Sequence, residues 1–307
     1  MRAPWTLLGV ALAGAAGCLF PDVSSFEPSA EGGADGADDT PAAACDPAEP
    51  FTTITPIAEL DGTGNDFKPT LSSDELEIWY GYASGTTLHV MHAQRTDRAS
   101  AFGSAFVETA IDSLLPTDPA LSPDGRTLFF AARGATASFS LYEATRANAS
   151  ADFGAGSPIA LETTGEQTSP FAAADGSLYF ANDTGSGAAD IYVAAPADGG
   201  FATPALVGSL SSTSNDEAVV LTDDGLWAYV TSDRTDLPNS GASDVFLAHR
   251  ASTVDGFGPL ANASDLNTSA YDRASWLSPD RCRLYLESNR DSDGGGPTHV
   301  FVASKTP

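Results

Sequence analysis

Apolar and polar residues alternate along this chain in a short pattern that recurs at a nearly constant interval. Each copy begins with a polar turn containing an aspartate and continues into a strand-like run of aromatic and aliphatic residues. The five copies are LSSDELEIWY (71–80), LSPDGRTLFF (121–130), FAAADGSLYF (171–180), LTDDGLWAYV (221–230) and LSPDRCRLYL (277–286). Their shared aspartates are Asp74, Asp124, Asp175, Asp224 and Asp280. A repeat of about 50 residues with strand chemistry inside it predicts an array of β units.

Three further strand-like segments belong to each repeat. A second apolar run, such as Ile191-Tyr192-Val193, follows a polar loop, and another strand, such as Ser169-Pro170-Phe171, lies just before each turn. The remaining element opens with a phenylalanine, at Phe51, Phe102, Phe153, Phe201 and Phe257. Four short antiparallel strands per repeat are typical of a β-propeller blade.

The two ends of the repeat array complement each other. The first phenylalanine-led element (51–60) precedes the first copy, and the last copy stops at Pro307 without such an element. The simplest arrangement moves the N-terminal strand into the last blade, which closes the ring and leaves no free sheet edge. We therefore predict an all-β fold over residues 51–307, a propeller of five four-stranded blades. The alternative is a linear solenoid, which would leave both terminal units uncapped.

Three motifs connect these repeats to a known family. They are Leu121-Ser122-Pro123-Asp124-Gly125 with Leu128-Phe129-Phe130, the strand Asp190-Ile191-Tyr192-Val193, and Ser288-Asn289-Arg290. Over residues 60–305 the chain resembles the WD40-like β-propeller repeat of the C-terminal domain of TolB-type periplasmic proteins. The resemblance implies the propeller fold and indicates little about activity.

The N-terminal residues 1–17 have the features of a signal peptide. Arg2 supplies a positive charge, and a short apolar stretch leads to Ala15-Ala16-Gly17-Cys18, which resembles a bacterial lipobox with Cys18 as the lipidated residue. The apolar stretch is too short for a transmembrane helix. With Leu19 after the cysteine, the resemblance implies an outer-membrane lipoprotein facing the periplasm or the cell surface. The alternative is a plain secretory signal, with Cys18 removed or unpaired.

Residues 18–50 are predicted to form a disordered acidic tether. After Cys18 this segment has eight acidic residues, no Lys or Arg, and few large apolar groups. Such a composition buries too little apolar surface to fold. A tether of this kind would let the propeller stand away from the membrane.

With Cys18 lipidated, an exported chain retains two cysteines, Cys45 and Cys282, and an even pair favours a disulfide. In the propeller, the strand within 51–60 would lie two strands, roughly 10 Å, from the strand that carries Cys282. Cys45 lies six residues before Phe51, which gives a reach of up to about 20 Å. The bond is therefore feasible; the alternative is two free thiols, with Cys282 buried.

The chain is strongly acidic, with 41 acidic and 14 basic residues and a net charge of −27. This charge argues against nucleic acid and anionic lipid as partners, so we expect membrane attachment through the lipid alone. It attracts cations or basic partners, although a solvated acidic surface is the simpler interpretation. We expect a monomer without a cofactor, and leave open a cation at the mouth of the central channel.

Catalytic motifs are not evident in the sequence. There is no nucleophile elbow, no phosphate-binding glycine loop and no convincing pair of metal ligands. His89 and His92 form an H-x-x-H pattern, but alignment of the repeats places His89 at a packed aromatic position of the blades. The aligned residues are Tyr142, Tyr192, Phe246 and Phe301.

One set of positions, eight residues before each repeat aspartate, is a candidate binding site. It comprises Asp66, Pro116, Gln167, Asp216 and Asp272, with Glu217 and Arg273 as neighbours. The strand before the turn is the innermost strand of a propeller blade, so these side chains are candidates for a polar channel mouth that binds a cation, a sugar or a peptide terminus. The alternative is that they cap turns and bind backbone between blades.

Two functions remain open at this point. The first is a lipid-anchored, non-enzymatic scaffold that presents the propeller to a protein or a small ligand. The second is a glycosidase-like enzyme in which Asp66, Asp216 and Asp272 act as channel carboxylates, since paired carboxylates suffice for that chemistry. The regular repeats and the lack of long polar loops favour the scaffold.

Overall fold

The computed structural model describes residues 44–134, 138–292 and 294–306. The predicted signal peptide (1–17), Cys18 and most of the tether (18–50) lie outside the described residues. No helix among those residues is long and apolar enough to cross a membrane. The regular elements of the described chain are strands, apart from the 3-10 helices Ala58–Leu60, Asp112–Leu114 and Arg290–Ser292.

The strands assemble into five antiparallel sheets of four strands, which we call blades 1 to 5. In chain order they are β1 (Thr53–Pro56), β2 (Asn65–Leu71), β3 (Glu77–Ser84), β4 (Thr87–Gln94), β5 (Phe106–Val107), β6 (Pro116–Leu121), β7 (Thr127–Ala132), β8 (Ser140–Thr145), β9 (Ser157–Pro158), β10 (Glu166–Ala172), β11 (Leu178–Asp183), β12 (Asp190–Ala194), β13 (Pro196–Ala197), β14 (Gly200–Phe201), β15 (Ala205–Leu206), β16 (Asp216–Leu221), β17 (Trp227–Ser232), β18 (Asp244–His249), β19 (Ala261–Asn262), β20 (Asp272–Leu277), β21 (Arg283–Ser288) and β22 (His299–Ser304). Blade 1 is β2-β3-β4-β5, blade 2 is β6-β7-β8-β9, blade 3 is β10-β11-β12-β15, blade 4 is β16-β17-β18-β19, and blade 5 is β20-β21-β22-β1. A separate two-stranded hairpin, β13-β14, lies between β12 and β15 in the chain.

The innermost strands are arranged in a ring. Strands β2, β6, β10, β16 and β20 contact one another in that order, and β20 contacts β2. The prediction of an all-β, five-bladed propeller is therefore confirmed. Strand β1 pairs antiparallel with β22, with Thr53 opposite Ser304, and is the outer strand of blade 5. The predicted element 51–60 is shorter than expected as a strand, because the chain turns into a 3-10 helix after Pro56.

The repeat aspartate has the same role in all five blades, because its carboxylate accepts a hydrogen bond from the backbone N–H two residues later. The donors are Leu76, Arg126, Ser177, Leu226 and Cys282. The residue after the aspartate has a positive φ in every copy: Glu75 63°, Gly125 68°, Gly176 85°, Gly225 67° and Arg281 61°. The repeat motif therefore encodes a tight turn between the first two strands of each blade.

The core lies between neighbouring blades. The second strand of each blade is buried on both sides; Ile78 and Tyr80 of blade 1 pack with Tyr285 of blade 5, whereas Trp79 packs with Leu128 of blade 2. Burial of such apolar surface contributes roughly 25 cal/mol per Å². This explains why the aromatic runs of the repeat do not alternate with polar residues.

The predicted disulfide is confirmed, because Cys45 and Cys282 are joined with their Cα atoms 5.1 Å apart. The bond links the segment before β1 to the turn before β21. The backbone N–H of Cys45 also donates to the carbonyl of Asp280 at 2.8 Å. In the same place, the Lys305 ammonium donates to the carbonyls of Asp46 and Pro47. The first described residues are thus attached to blade 5 at several points.

Candidate functional site

The carboxylates that were predicted to form the channel mouth lie at the starts of the innermost strands. In blade 4, Asp216 accepts a hydrogen bond from Arg234 at 2.6 Å and others from the backbone and hydroxyl of Ser212. In blade 5, Asp272 accepts one from Arg290 at 2.6 Å. Both carboxylates are fully buried, and both are neutralised by an arginine of their own blade.

A third predicted position at this end is Gln167, whose side-chain oxygen accepts a hydrogen bond from the Leu141 backbone N–H of blade 2 at 3.2 Å. Among the described residues, no hydrogen bond or ion pair joins any two of Asp66, Asp216 and Asp272. The observed contacts are those of the alternative interpretation, in which these side chains cap turns and bind backbone. A ligand at this mouth stays a prediction.

Further along, three of the innermost strands contain a bulge at a residue that precedes proline. Lys68, Asp118 and Ser169 have φ values of 47°, 50° and 53°, and the pairing register shifts at each of them. A proline inside a sheet is tolerated at such bulges. The bulges place these three side chains in contact with residues of other blades.

A largely buried set of charged and polar side chains fills the axis of the propeller. We call this set the axial network; it comprises the buried Lys68, Asp118, Ser169, Arg273 and Glu287 and the half-buried Glu217 and Tyr271. The Arg273 Nη1 atom lies 3.4 Å from Glu287 Oε2 and 3.7 Å from Asp118 Oδ1, and its Nη2 atom donates to the Ser169 hydroxyl. The Lys68 backbone N–H donates to Glu287 at 3.3 Å. Arg273, one of the residues singled out in the sequence, is therefore the centre of this network.

The other side of the axial network is built on Glu217 of blade 4. Its two carboxylate oxygens accept hydrogen bonds from the Tyr271 hydroxyl at 2.6 Å and from the Ser243 hydroxyl at 2.7 Å. Every blade therefore contributes to the network, which connects the five innermost strands through polar contacts as well as through packing.

Two groups in the axial network change protonation near neutral pH. Burial raises the pKa of Glu287 to about 7, although the nearby Arg273 opposes the change. Burial, together with repulsion from Arg273, lowers the pKa of Lys68 to about 7. Both shifts favour the uncharged form, as expected for ionisable groups removed from water.

On the side of the repeat turns, the axis opens into a cavity of about 230 Å³, which we call the turn-side cavity. All five blades line it, and its largest lining side chains are Phe171 and Trp276, followed by the leucines Leu71, Leu121, Leu221 and Leu277. The exposed residues Ser73 and Asp223 stand at its rim. The cavity is suited to a small, largely apolar group entering along the axis.

A second polar cluster lies where blade 5 meets blade 1. Asp61, Asp66 and His299 offer ligand atoms that all lie within 4.8 Å of one another. Burial raises the pKa of Asp66 to about 6, and the neighbouring His299 opposes this change. The two aspartates also line a surface cavity of about 500 Å³.

The repeat alignment that placed His89 at an aromatic position is wrong by two residues. The cross-strand register pairs Met91 with Tyr80, so Met91 occupies that position in blade 1. The shift arises because β3 and β4 are eight residues long and begin their pairing earlier. The His89 ring instead stacks on Tyr82, and its Nδ1 atom lies 2.5 Å from Asp112.

Most of the axial network was not found from the sequence. A signal was present, because the dipeptides Lys68-Pro69, Asp118-Pro119 and Ser169-Pro170 follow the spacing of the repeats. The cluster at the junction of blades 5 and 1 carried no such signal, since Asp61 and His299 are far apart in the chain and belong to no motif.

These features define a five-bladed β-propeller whose axis is filled by a charged network. Comparison of the sequence with known families gives no match, and neither does comparison with curated proteins. Among solved structures, the fold is similar to the catalytic domain of the Coprinopsis cinerea GH62 α-L-arabinofuranosidase, with a TM-score of 0.54 and 12% identity over 80% of this chain and 92% of that chain. It is also similar to a thermostable family-43 glycoside hydrolase, with a TM-score of 0.53 and 12% identity over 81% of this chain and 95% of that chain.

TolB from Acinetobacter baumannii is another structural neighbour, with a TM-score of 0.49 and 15% identity over 80% of this chain. The match spans 56% of that TolB, so this chain corresponds to little more than half of its length. At such identities, likeness to a solved structure shows the fold alone.

Proposed function

We propose that this chain is an exported, lipid-anchored protein that binds a protein or a small ligand through its propeller and does not catalyse a reaction. Cys18 carries the anchor, the residues between Cys18 and Cys45 form the tether, and the outer membrane is the site of attachment. The propeller is the binding platform, held away from the membrane surface.

The observation that carries the proposal is the burial of the carboxylates on the axis and their pairing with an arginine. Asp118 and Glu287 both face the Arg273 guanidinium, and all three side chains are buried. A glycosidase needs two carboxylates on either side of the scissile bond, about 5 to 9.5 Å apart and open to the sugar. Here the carboxylates that meet on the axis are engaged in holding blades together, which supports a structural role for the axis.

Binding is assigned to the turn-side cavity rather than to the opposite mouth. Its apolar lining and its position on the axis suit a small apolar side chain or the end of a peptide. The rim residue Asp223 adds a negative charge, and the chain carries a net charge of −27. A basic or neutral partner is therefore favoured over an acidic one.

The proposal is tested by crosslinking in cells and affinity capture of the tagged full-length protein. Asp223→Arg places a long cation at the rim of the cavity, and Asp198→Arg makes the same charge change in the exposed hairpin β13-β14. We expect a partner that is captured by wild type and by Asp198→Arg but lost from Asp223→Arg. Equal capture by all three proteins, or no specific capture by any, contradicts the proposal.

Glycoside hydrolysis remains a second candidate, favoured by one observation. Glu287 has a pKa of about 7 and lies beside a second carboxylate, Asp118, around Arg273, and a raised pKa is what a general acid requires. The assay is hydrolysis of an aryl α-L-arabinofuranoside by wild type and by Glu287→Gln. We expect no hydrolysis above background; activity in wild type that is lost in Glu287→Gln would establish the enzyme instead.

A further inference from the structure

The repeats place a buried aspartate at the start of the innermost strand in blades 1, 4 and 5: Asp66, Asp216 and Asp272. In blades 4 and 5 a guanidinium neutralises this aspartate, with Arg234 and Arg290 each 2.6 Å from an Oδ1 atom. A buried carboxylate needs such a partner, because an unpaired charge in the interior costs several kcal/mol. The two blades thus show how this fold satisfies an aspartate at this position.

Blade 1 has the aspartate but not the arginine. The residue opposite Asp66 is Tyr82, where blade 4 has Ser232, and the arginine position two residues later is Ser84. Asp66 is only 1% exposed, and its Oδ2 atom accepts a hydrogen bond from the Gly62 backbone at 2.8 Å. Its Oδ1 atom is buried without a hydrogen-bond partner. A positive charge is therefore missing at this point.

Asp61 and His299 lie beside Asp66, and the His299 ring is nearest to its Oδ2 atom. The His299 Nδ1 atom is buried without a hydrogen bond, 3.4 Å from Asp61 Oδ1 and 3.6 Å from Asp66 Oδ2. Ligand atoms bound about 2.0–2.2 Å from a tetrahedral Zn²⁺ stand roughly 3.3–3.6 Å from one another. The two separations from His299 Nδ1 match that spacing, and the ligand oxygens of Asp61 and Asp66 lie within 4.8 Å of each other.

We propose that Asp61, Asp66 and His299 bind a divalent cation, with Zn²⁺ preferred over Ca²⁺ and Mg²⁺. One imidazole nitrogen and two carboxylates are a borderline donor set that suits zinc, whereas Ca²⁺ and Mg²⁺ prefer oxygen ligands alone. Three protein ligands leave the fourth position to water, supplied from the cavity that Asp61 and Asp66 line. The ion supplies the positive charge that an arginine supplies in blades 4 and 5.

The site connects two blades. Asp66 lies in β2 of blade 1, His299 is the first residue of β22 in blade 5, and Asp61 follows the 3-10 helix between β1 and β2. A bound ion would therefore join the third strand of blade 5 to the innermost strand of blade 1. The expected consequence is a more stable protein, since a ligand that binds only the folded state raises the unfolding temperature.

The test uses the full-length protein, freed of metal with a chelator and then dialysed against Zn²⁺, Ca²⁺ or Mg²⁺. We expect one equivalent of Zn²⁺ per chain, a rise in unfolding temperature with Zn²⁺, and visible absorption typical of a tetrahedral site when Co²⁺ replaces it. His299→Gln should lose all three effects. His89→Gln, a change at another histidine beside an aspartate, should retain them.

A second variant follows from the repeats. The double change Tyr82→Ser with Ser84→Arg gives blade 1 the serine and arginine of blade 4. We expect it to unfold at a higher temperature than wild type without metal and to bind Zn²⁺ at least tenfold more weakly.

Three results would overturn the proposal: no stoichiometric Zn²⁺ in wild type, undiminished Zn²⁺ binding by His299→Gln, or binding of Ca²⁺ in preference to Zn²⁺.

Discussion

At the scale of single residues, the backbone is strained at the position after the repeat aspartate wherever that residue is not glycine. Side-chain contacts offset this strain. Three copies have glycine there, but Glu75 and Arg281 adopt the same left-handed conformation, which costs a non-glycine residue about 1–2 kcal/mol. Glu75 is fully buried and accepts two hydrogen bonds from Arg283, at 2.6 and 2.7 Å, and one from the Tyr285 hydroxyl. Arg281 makes a partly exposed ion pair with Asp224.

The two positions should therefore respond to glycine in opposite ways. Glu75→Gly relieves backbone strain but removes a buried carboxylate from the Tyr285 hydroxyl and from Arg283, which keeps its ion pair with Asp280, so we expect a loss of about 2 kcal/mol. Arg281→Gly loses only a partly exposed pair, worth at most about 1 kcal/mol, and should be neutral or stabilising. The free energy of unfolding in urea measures both, and similar values for the two variants would disprove the explanation.

The raised pKa of Glu287 predicts the direction in which the stability of the protein changes with pH. Its pKa is about 7 in the folded protein and is raised from an ordinary value of 4.5, so the folded state holds the proton more tightly. The stabilisation of the folded state by this tighter proton binding is complete below about pH 4.5 and is lost as the pH rises to about 7. Glu287→Gln should flatten this decline, and its stability relative to wild type should improve by about 3 kcal/mol across the window. Thermal unfolding of both proteins at several pH values measures this difference. Stabilities that fall in parallel with rising pH would contradict the prediction.

At the scale of structural elements, the arginine after the second strand of blade 4 fixes the start of the innermost strand. Arg234 donates to Asp216 and to the Leu210 carbonyl at 3.1 Å. Arg234→Leu should destabilise the protein by about 3–5 kcal/mol, because Asp216 remains buried and charged. Adding Asp216→Asn should recover most of that loss in a urea titration. A double variant no more stable than Arg234→Leu would show that packing, and not charge, governs this loop.

The sequence predicted the elements better than their details. The repeat turns and second strands were found because aspartate and the following left-handed residue have chemistry that is visible locally. The bulges at Lys68, Asp118 and Ser169 were not found, because a bulge depends on the register with the neighbouring strand. For the same reason the aromatic position of blade 1 was assigned to His89 and not to Met91.

At the scale of the whole molecule, the disulfide links residues that are 237 positions apart in the chain. Closing so long a loop restricts the unfolded chain, so we expect Cys45→Ser with Cys282→Ser to cost about 2–5 kcal/mol. Wild type in reductant should fall to the same unfolding temperature as the double variant. An unchanged unfolding temperature in the variant would show that the other contacts with blade 5 suffice.

The predicted anchor has a direct test in cells. Wild type grown with labelled fatty acid should incorporate the label and sediment with membranes, whereas Cys18→Ala should do neither. The Cys45→Ser variant, which also removes one cysteine, is the matched control and should remain labelled. Label in Cys18→Ala, or its absence from wild type, would refute the lipobox.

The candidate sites were only partly predictable from the sequence. Asp66, Asp216 and Asp272 were correctly placed at the strand starts, but the sequence did not tell which of them has an arginine partner. That difference rests on a single position in each repeat, Ser84 in blade 1 against Arg234 in blade 4. His299 reaches Asp66 only because the ring brings blade 5 beside blade 1.

Blade 5 combines the first strand of the described chain with its last three strands, and this has a consequence for biosynthesis. Its outer strand, β1, is made first, whereas its partner β22 is made last. At about 5–20 residues per second, the early strand waits many seconds for its pairing edge. Until then, such a strand is open to pairing with other chains. The polar threonines Thr53 and Thr55 in β1, together with the acidic residues that precede it, would keep the nascent chain soluble until its last strand emerges.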